Sequence, residues 1–320
     1  MTLTELARLA HVSTSTASKA FALSPEVNEQ TRNLIFDVAR ANGCFKKFYR
    51  SEYPGLFFAV ICPEFESTYY SSFIFEMQKH LSRYNSEVAV AATGFDPGTE
   101  QRLIEYYQRY HTADGIIVID GSSSPMGKSE IPIATIDSHA PFKGDVNISN
   151  NIQNAINYMI KNWAECSVKD VGFIGERYTS GRLEHLKEAM MLSKIPVKDE
   201  FITVTSARFE QAGYLGAREL VSRGKLPRAI MCAYDRIALG AIKAFGEFGI
   251  RVPEDVAIFS VDDAPFAQYS TPSLTSISTR VDLACQAVVS SLMAKIKGEP
   301  FESEIKIERE LRVRDSSKIV

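Results

Sequence analysis

The chain has 320 residues, 36 Lys+Arg against 39 Asp+Glu, and a formal net charge of −3. At 45% hydrophobic and 23% charged it has a globular composition with material for two or three domains, which excludes a disordered or low-complexity chain. Near-balanced charge also excludes a wholly basic nucleic-acid coat, while leaving room for one small DNA-reading module.

The N-terminus, MTLTELARLA, is polar and amphipathic and lacks the cationic start and apolar core of a signal peptide. No run approaches the ~20 apolar residues that span a bilayer. Cys44, Cys62, Cys166, Cys232 and Cys285 are odd in number and scattered, with no C-x-x-C pair. That pattern predicts reduced thiols in a cytoplasm and no disulfide frame or zinc site.

Residues 1–43 read as three short helices. Thr2 caps the first, with Glu5 completing a capping box, and Leu3, Leu6, Ala7 and Ala10 recur at helical spacing. Ser13 caps the second, Thr14 to about Phe21. Asn28 caps the third, which runs to about Asn42 with Leu34, Ile35, Val38 and Ala39 inward and Gly43 as its stop. Residues 44–55 have no clean period and end in the turn signal Pro54-Gly55, so they read as a linker.

From Leu56 onward short apolar runs alternate with amphipathic helices. Expected strands are Leu56–Cys62, Glu87–Ala92, Gly115–Ile119, Ile133–Ile136, Val171–Ile174, Ile202–Val204, Ala229–Cys232 and Val256–Val261. Helices such as Phe73–Tyr84, Glu100–Tyr110, Arg182–Ser193, Gln211–Arg223 and Ile237–Phe248 fall between them. This alternation predicts an α/β fold with parallel, doubly wound sheets, long enough for two domains. Charge divides along the same boundary. Residues 1–55 carry seven basic against five acidic side chains, a balance of +2, and the remainder carries 29 against 34, a balance of −5.

The stretch Leu3–Arg32 has a helix-turn-helix layout. A recognition helix needs short polar side chains near phosphates and a few longer ones that reach base edges. Ser13, Thr16, Ser18, Asn28 and Thr31 suit phosphate contact, and Thr14, Ser15 and Lys19 suit base contact. A plain helical hairpin with Ser and Thr caps is the bland alternative.

The words Leu6, Ala7, Ala10, Val12-Ser13, Thr16, Ser18, Val27, Thr31-Arg32 and Gly43 resemble the LacI/GalR (lactose-repressor) family of bacterial transcription regulators. So do Asp96-x-x-x-Glu100-Gln101, Asp114-Gly115-Ile116-Ile117, the segment Asp235 to Ile277, and Leu311-x-x-Arg314-x-Ser316 as a last strand. The resemblance spans nearly the whole chain. It implies a helix-turn-helix head (1–43), a linker (44–55), and a periplasmic-binding-protein-like effector and dimerisation domain (56–320). That domain would divide into an N-subdomain, about 56–150 and 278–306, and a C-subdomain, about 151–277 and 307–320. It further implies operator DNA, a small-molecule effector (a sugar, sugar phosphate or related compound) bound between the subdomains, and a homodimer.

The sequence departs from the family at four places. The usual Gly of the turn is His11, a residue that tolerates positive φ at a cost of about 1 kcal/mol. The linker lacks the Pro-Asn and Ala-Arg-x-Leu words of the family's hinge helix. In their place Lys46, Lys47 and Arg50 can meet phosphates, and Phe48 or Tyr49 can act as a wedge or pack on the regulatory domain. Ser167-Val168 replaces a Gly-His turn. Tyr234-Asp235 replaces Asn-Asp, with Asp235 still able to cap the following helix.

Family ligand words place Arg182, Asp262, Tyr69 and Tyr70 at effector positions, with Tyr234 adjacent. Arg208 falls where sugar binders place a stacking aromatic, and with Arg177 it hints at an anionic effector. No Gly-rich phosphate loop, nucleophile elbow or metal-spaced His pair appears; His11, His80, His111, His139 and His185 are isolated. The expectation is a DNA-binding transcriptional repressor, without catalytic residues, cofactor or metal. The alternative is a cytoplasmic solute-binding protein or enzyme on the same fold that does not bind an operator.

Overall fold

The computed structural model describes residues 1–48, 55–110, 112–123, 131–138 and 143–319. Tyr49, Arg50, His111 and His139 lie outside them. The chain forms two compact units. One comprises Met1–Glu66, Tyr70–Ser149 and Val281–Ile305, the other Ser67–Tyr69, Asn150–Arg280 and Lys306–Val320.

The first unit opens with helices α1 (Leu3–Leu9), α2 (Thr14–Phe21), α3 (Glu29–Ala41) and the single turn α4 (Phe45–Phe48). Each long helix starts on the side chain its sequence offers. Thr2 Oγ1 accepts from Glu5 N while Glu5 Oε2 accepts from Thr2 N, Ser13 Oγ accepts from Thr16 N, and Asn28 Oδ1 accepts from Thr31 N. His11 adopts φ +53° in the turn between α1 and α2. Leu6, Ala7, Ala10, Ala17, Ala20, Phe21, Val27, Ile35, Phe36, Ala39 and Cys44 form the core. The inward face of α3 differs from expectation: Phe36 is buried, whereas Leu34 is exposed.

Residues 44–48 also differ from a bare tether. The Phe45 and Phe48 rings lie 5.9 and 5.6 Å from Phe21, Phe45 sits edge-on to Phe36 at 5.0 Å, and Arg40 stands 4.6 Å over Phe45. Phe48 therefore packs on the head's own core, where part of its apolar area leaves water. Lys47 Nζ donates to Met1 O at 2.9 Å.

The α/β part of this unit continues through β1 (Leu56–Cys62), α5 (Thr68–Ser82), β2 (Ser86–Ala92), α6 (Pro97–Tyr110), β3 (Gly115–Ile119), β4 (Ile133–Ile136) and β5 (Val146–Asn151). The chain then forms α7 (Gln153–Glu165), β6 (Val171–Glu176), α8 (Ser180–Leu192), β7 (Ile202–Thr205), α9 (Phe209–Ser222), β8 (Ala229–Cys232), α10 (Asp235–Glu247), β9 (Ala257–Asp262) and β10 (Thr275–Ser278). It ends with α11 (Val281–Lys297), β11 (Glu304–Glu308) and β12 (Glu310–Arg312).

The strands make two sheets, ordered β11-β5-β4-β3-β1-β2 and β12-β10-β9-β8-β6-β7. The pairs β1·β2, β1·β3, β3·β4 and β4·β5 are parallel, as are β6·β7, β6·β8, β8·β9 and β9·β10; β12 runs antiparallel to β10. Central strands such as Gly115–Ile119 and Ala229–Cys232 are buried throughout, which is why they read as unbroken apolar runs. In both sheets the order reverses between the first strand and the third, at β1/β3 and at β6/β8. Open α/β sheets bind ligands beyond the carboxyl ends of strands at such a reversal.

Strands β5, β10 and β11 are absent from the sequence reading because they lack an apolar run. Thr275 and Ser276 of β10 are buried, yet their hydroxyls bond to Ser317 Oγ at 2.7 Å and Asp235 Oδ1 at 2.6 Å. Asp235 itself does not cap α10. It sits inside the first turn and turns into the sheet, accepting from Ser260 Oγ at 2.5 Å and from Ala264 N at 2.6 Å. Burial is the main cause that pushes this carboxyl up to about 7, and Asp262 adds to the rise.

Helices α9 and α10 cross at van der Waals contact. A Cβ on Gly213 would fall 1.8 Å from Ile237 O, and one on Gly240 1.8 Å from Glu210 O. Gly240→Ala should therefore force the helices apart and lower unfolding free energy by about 2–3 kcal/mol, read by urea denaturation. Asp235 supplies a pH signature. Its folded pKa lies above the ordinary value of 3.8, so its contribution to stability is full below about 4 and is lost as pH rises through about 7. Asp235→Asn should flatten that part of the stability–pH curve measured by urea titrations between pH 4 and 8.

Candidate functional site

Helix α2 presents Thr14, Ser15, Ser18 and Lys19 to solvent while Ala17, Ala20 and Phe21 face the core. The four exposed side chains share the outward face because the buried residues recur three and four apart. Ser13 and Asn28 are committed to capping, and the Thr16 hydroxyl lies 2.8 Å from Ser13 Oγ, so these groups shape the helix N-termini. Thr31 is half-buried, with its backbone N–H on the Asn28 cap. Lys19 pairs with Glu26, and both side chains are exposed, so the pair is weak and can open toward a phosphate or base. Arg32 ties the loop before α3 by donating to Ser24 O and Val27 O, each at 2.8 Å.

The second unit gathers polar groups at its sheet reversal. Glu176 ends β6, Tyr234 follows β8, Asp262 ends β9, Arg182 stands on the first turn of α8, and Arg208 precedes α9. Arg182 donates to Ala233 O and, at 3.1 Å, to Asp262 Oδ1. Asp262 and Asp263 both take positive φ, +106° and +52°. Asp263 is held separately by Arg314 at 2.7 Å.

Arg208 Nε lies 3.6 Å from Oε2 of the buried Glu176, and its guanidinium stands 5.1 Å from the Tyr178 ring and 4.5 Å from that of Phe209. Tyr234 accepts a hydrogen bond from Phe209 N at 3.1 Å, and the Arg182 guanidinium lies 5.9 Å from its ring. Burial pushes the Tyr234 phenol up to about 12. The Phe209 N–H opposes the rise, Glu176 adds to it, and Arg208 and Arg182 oppose it. The phenol thus remains neutral and bridges the starts of α9 and α10.

Arg182, Arg208, Tyr234 and Asp262 are brought together in this unit. Tyr70 belongs to the other one, at the β1/β3 reversal, where its hydroxyl donates to Asp120 and its ring lies 6.5 Å from Phe95. Tyr69, one residue earlier in α5, falls in the second unit and donates its backbone N–H to Ser67 Oγ at 3.2 Å. Sequence reasoning missed Glu176, Tyr178 and Asp120. The available signal was an acid closing each of the apolar runs VGFIG and GIIVI.

A model of the periplasmic binding protein-like domain matches residues 163–317. The probable HTH-type transcriptional repressor ExuR of Bacillus subtilis is 26% identical, covering 99% of this chain and 98% of its own length. The HTH-type transcriptional repressor PurR of Haemophilus influenzae is 27% identical over 100% of this chain and 99% of its own. The solved CelR–cellobiose complex superposes with a TM-score of 0.67 at 19% identity, over 99% of this chain and 100% of that one. The chain is thus similar end to end to two named helix-turn-helix transcriptional repressors, and it shares its fold with the solved regulator CelR across both head and sheets.

Proposed function

We propose that this protein is a sequence-specific DNA-binding repressor whose operator affinity is set by a small-molecule effector, a sugar or sugar derivative. The carrying observation is that one chain joins a fully capped helix-turn-helix head, with Thr14, Ser15, Ser18 and Lys19 outward, to a unit whose strand ends converge on Arg182, Asp262, Tyr234 and Arg208. A solute receptor or an enzyme has no use for such a head, and the full-length relatives are named as repressors. CelR, solved with cellobiose, supports a sugar as the effector class.

The protein acts as a homodimer in the cytoplasm, two heads reading the halves of a pseudo-palindromic operator. No helix among the described residues is long and apolar enough to cross a membrane. With a head balance of only +2, charge alone holds DNA weakly, so affinity rests on paired heads and on base contacts. The paired Arg182 and Asp262 offer a donor fork and an acceptor to adjacent hydroxyls. The effector favours one conformational state over another, and operator affinity changes by no more than its differential affinity for the two.

Gel shifts on the DNA upstream of the protein's own gene test this reading; no sequence-specific retardation with or without effector overturns it. Lys19→Ala, or exchange of Thr14 and Ser15, should change which operator variants are retarded while effector affinity stays unchanged. Unaltered preference would remove α2 from the recognition role. Arg182→Ala should abolish the effector response and leave operator retardation intact, and a normal response would remove Arg182 from the ligand site.

A further inference from the structure

Two consecutive residues with a Cβ, Asp262 and Asp263, hold positive φ at the end of β9. Such backbone is costly and persists only where its surroundings fix it. The fixing group here is Asp235, a carboxylate 1% exposed at the start of α10. Its Oδ2 accepts directly from Ala264 N at 2.6 Å. Its Oδ1 accepts from the Ser276 hydroxyl at 2.6 Å, and Ser276 Oγ in turn accepts from Asp263 N at 2.9 Å. One buried carboxylate thus governs two successive backbone N–H groups just after Asp262. On the far side Arg314 donates to Asp263 Oδ1 and to Leu274 O, each at 2.7 Å.

The donors that meet Asp235 are neutral, and all of them need an acceptor. An ionised carboxylate serves every one of them, with charge-assisted bonds stronger than neutral ones. A protonated Asp235 must give a hydrogen back at one oxygen. Ser260 can receive it, because its hydroxyl lies 2.5 Å from Oδ1 and has Thr275 O as a second acceptor at 3.5 Å. The grip on Ser276 and Ala264 then drops to that of a neutral acceptor. Of the ionisable groups around Asp235, Asp262 stands at the end of β9 and Cys232 at the end of β8, where burial pushes the thiol up. Arg182 of α8 lies beyond Asp262, and the Asp263–Arg314 pair lies beyond Ser276.

Resting on the effector reading above, we propose that Asp235 is a positioning residue of the effector site: its carboxylate, directly at Ala264 N and through the Ser276 hydroxyl at Asp263 N, holds the turn from which Asp262 meets Arg182. Asp235 touches no effector itself. It acts through the backbone that carries Asp262, and its protonation state sets how firmly that backbone is held. Burial, its main cause, brings this carboxyl up to about 7, so the change falls near neutral pH.

Calorimetry on the full-length protein between pH 6 and 8 tests this, with a panel of pentoses, hexoses, disaccharides including cellobiose, and their acids and phosphates. Affinity for a sugar that binds should rise about fivefold as pH rises through about 7, because the ionised form grips the turn more tightly. Asp235→Asn presents an amide N–H₂ where a donor already stands. It should weaken the same sugar about 10-fold or more and remove its pH dependence relative to the native protein. Hydrogen exchange in the ligand-free protein should speed up at the Asp263 and Ala264 amides in this variant. Should Asp235→Asn fail to fold, Ser276→Ala, which leaves the carboxylate in place, should speed exchange at Asp263 and weaken the sugar about fivefold. Native affinity and a native pH profile in folded Asp235→Asn, or unchanged affinity in Ser276→Ala, overturn the positioning role and leave the effector reading standing. If no member of the panel binds the native protein, the effector reading falls and takes this role with it.

Discussion

The crossing of α9 and α10 at Gly213 and Gly240 is the constraint on which the second unit's candidate site depends. Only a hydrogen at these positions lets each helix backbone rest on a carbonyl of the other, Ile237 O and Glu210 O. Contact that close draws the two helix starts together. Arg208 and Phe209 begin one helix, Tyr234 the other, and the hydrogen bond from Phe209 N to the Tyr234 hydroxyl spans the gap at 3.1 Å. Both helices follow strands near the β6/β8 reversal, so a packing contact with no polar chemistry of its own determines where the polar groups converge.

Charges in that region are arranged as graded pairs. The bidentate Arg236–Glu210 pair anchors the first turn of one helix to that of its neighbour and is the tightest. Arg182 meets Asp262 at 3.1 Å, and Arg208 Nε stands 3.6 Å from the enclosed Glu176 carboxylate. Removing one partner of a buried pair leaves a desolvated charge, so these contacts hold side-chain directions more than they add stability. Asp235 lies beneath, engaged by Ser260, Ser276 and the Ala264 N–H, and it ties the start of α10 to β9 and β10.

The head solves a different problem. A head of about 45 residues buries little apolar area, and small domains need every available contact. Here the chain after α3 supplies it: Phe45 and Phe48 turn back onto Phe21 and Phe36, and Arg40 covers the outer ring. Phe45 and Phe48 are thereby committed to packing, and the outward face of α2 carries the polar side chains Thr14, Ser15, Ser18 and Lys19.

Local and periodic features were legible in the sequence. Caps at Thr2, Ser13 and Asn28, the buried strands, the outward face of α2, and the positions of Arg182 and Asp262 all follow from rules that act within a few residues or from words that survive in order. Segments whose stability comes from distant partners were not legible. β10 is buried through hydroxyls that find Ser317 and Asp235, and Phe48 is apolar in a stretch without period, so nothing local says which surface it covers. For Glu176 and Asp120 the one local signal was an acid closing an apolar run, and it says nothing of the partners each finds. By itself, then, the sequence determined a capped three-helix head followed by alternating strands and helices, because hydrogen-bond capping and hydrophobic period are local. The pairing of Arg208 with Glu176 and the aromatic rings, and the merging of two helix starts into one site, were decided by tertiary structure, because they depend on strand order and on two helices meeting at glycine, which no local pattern encodes.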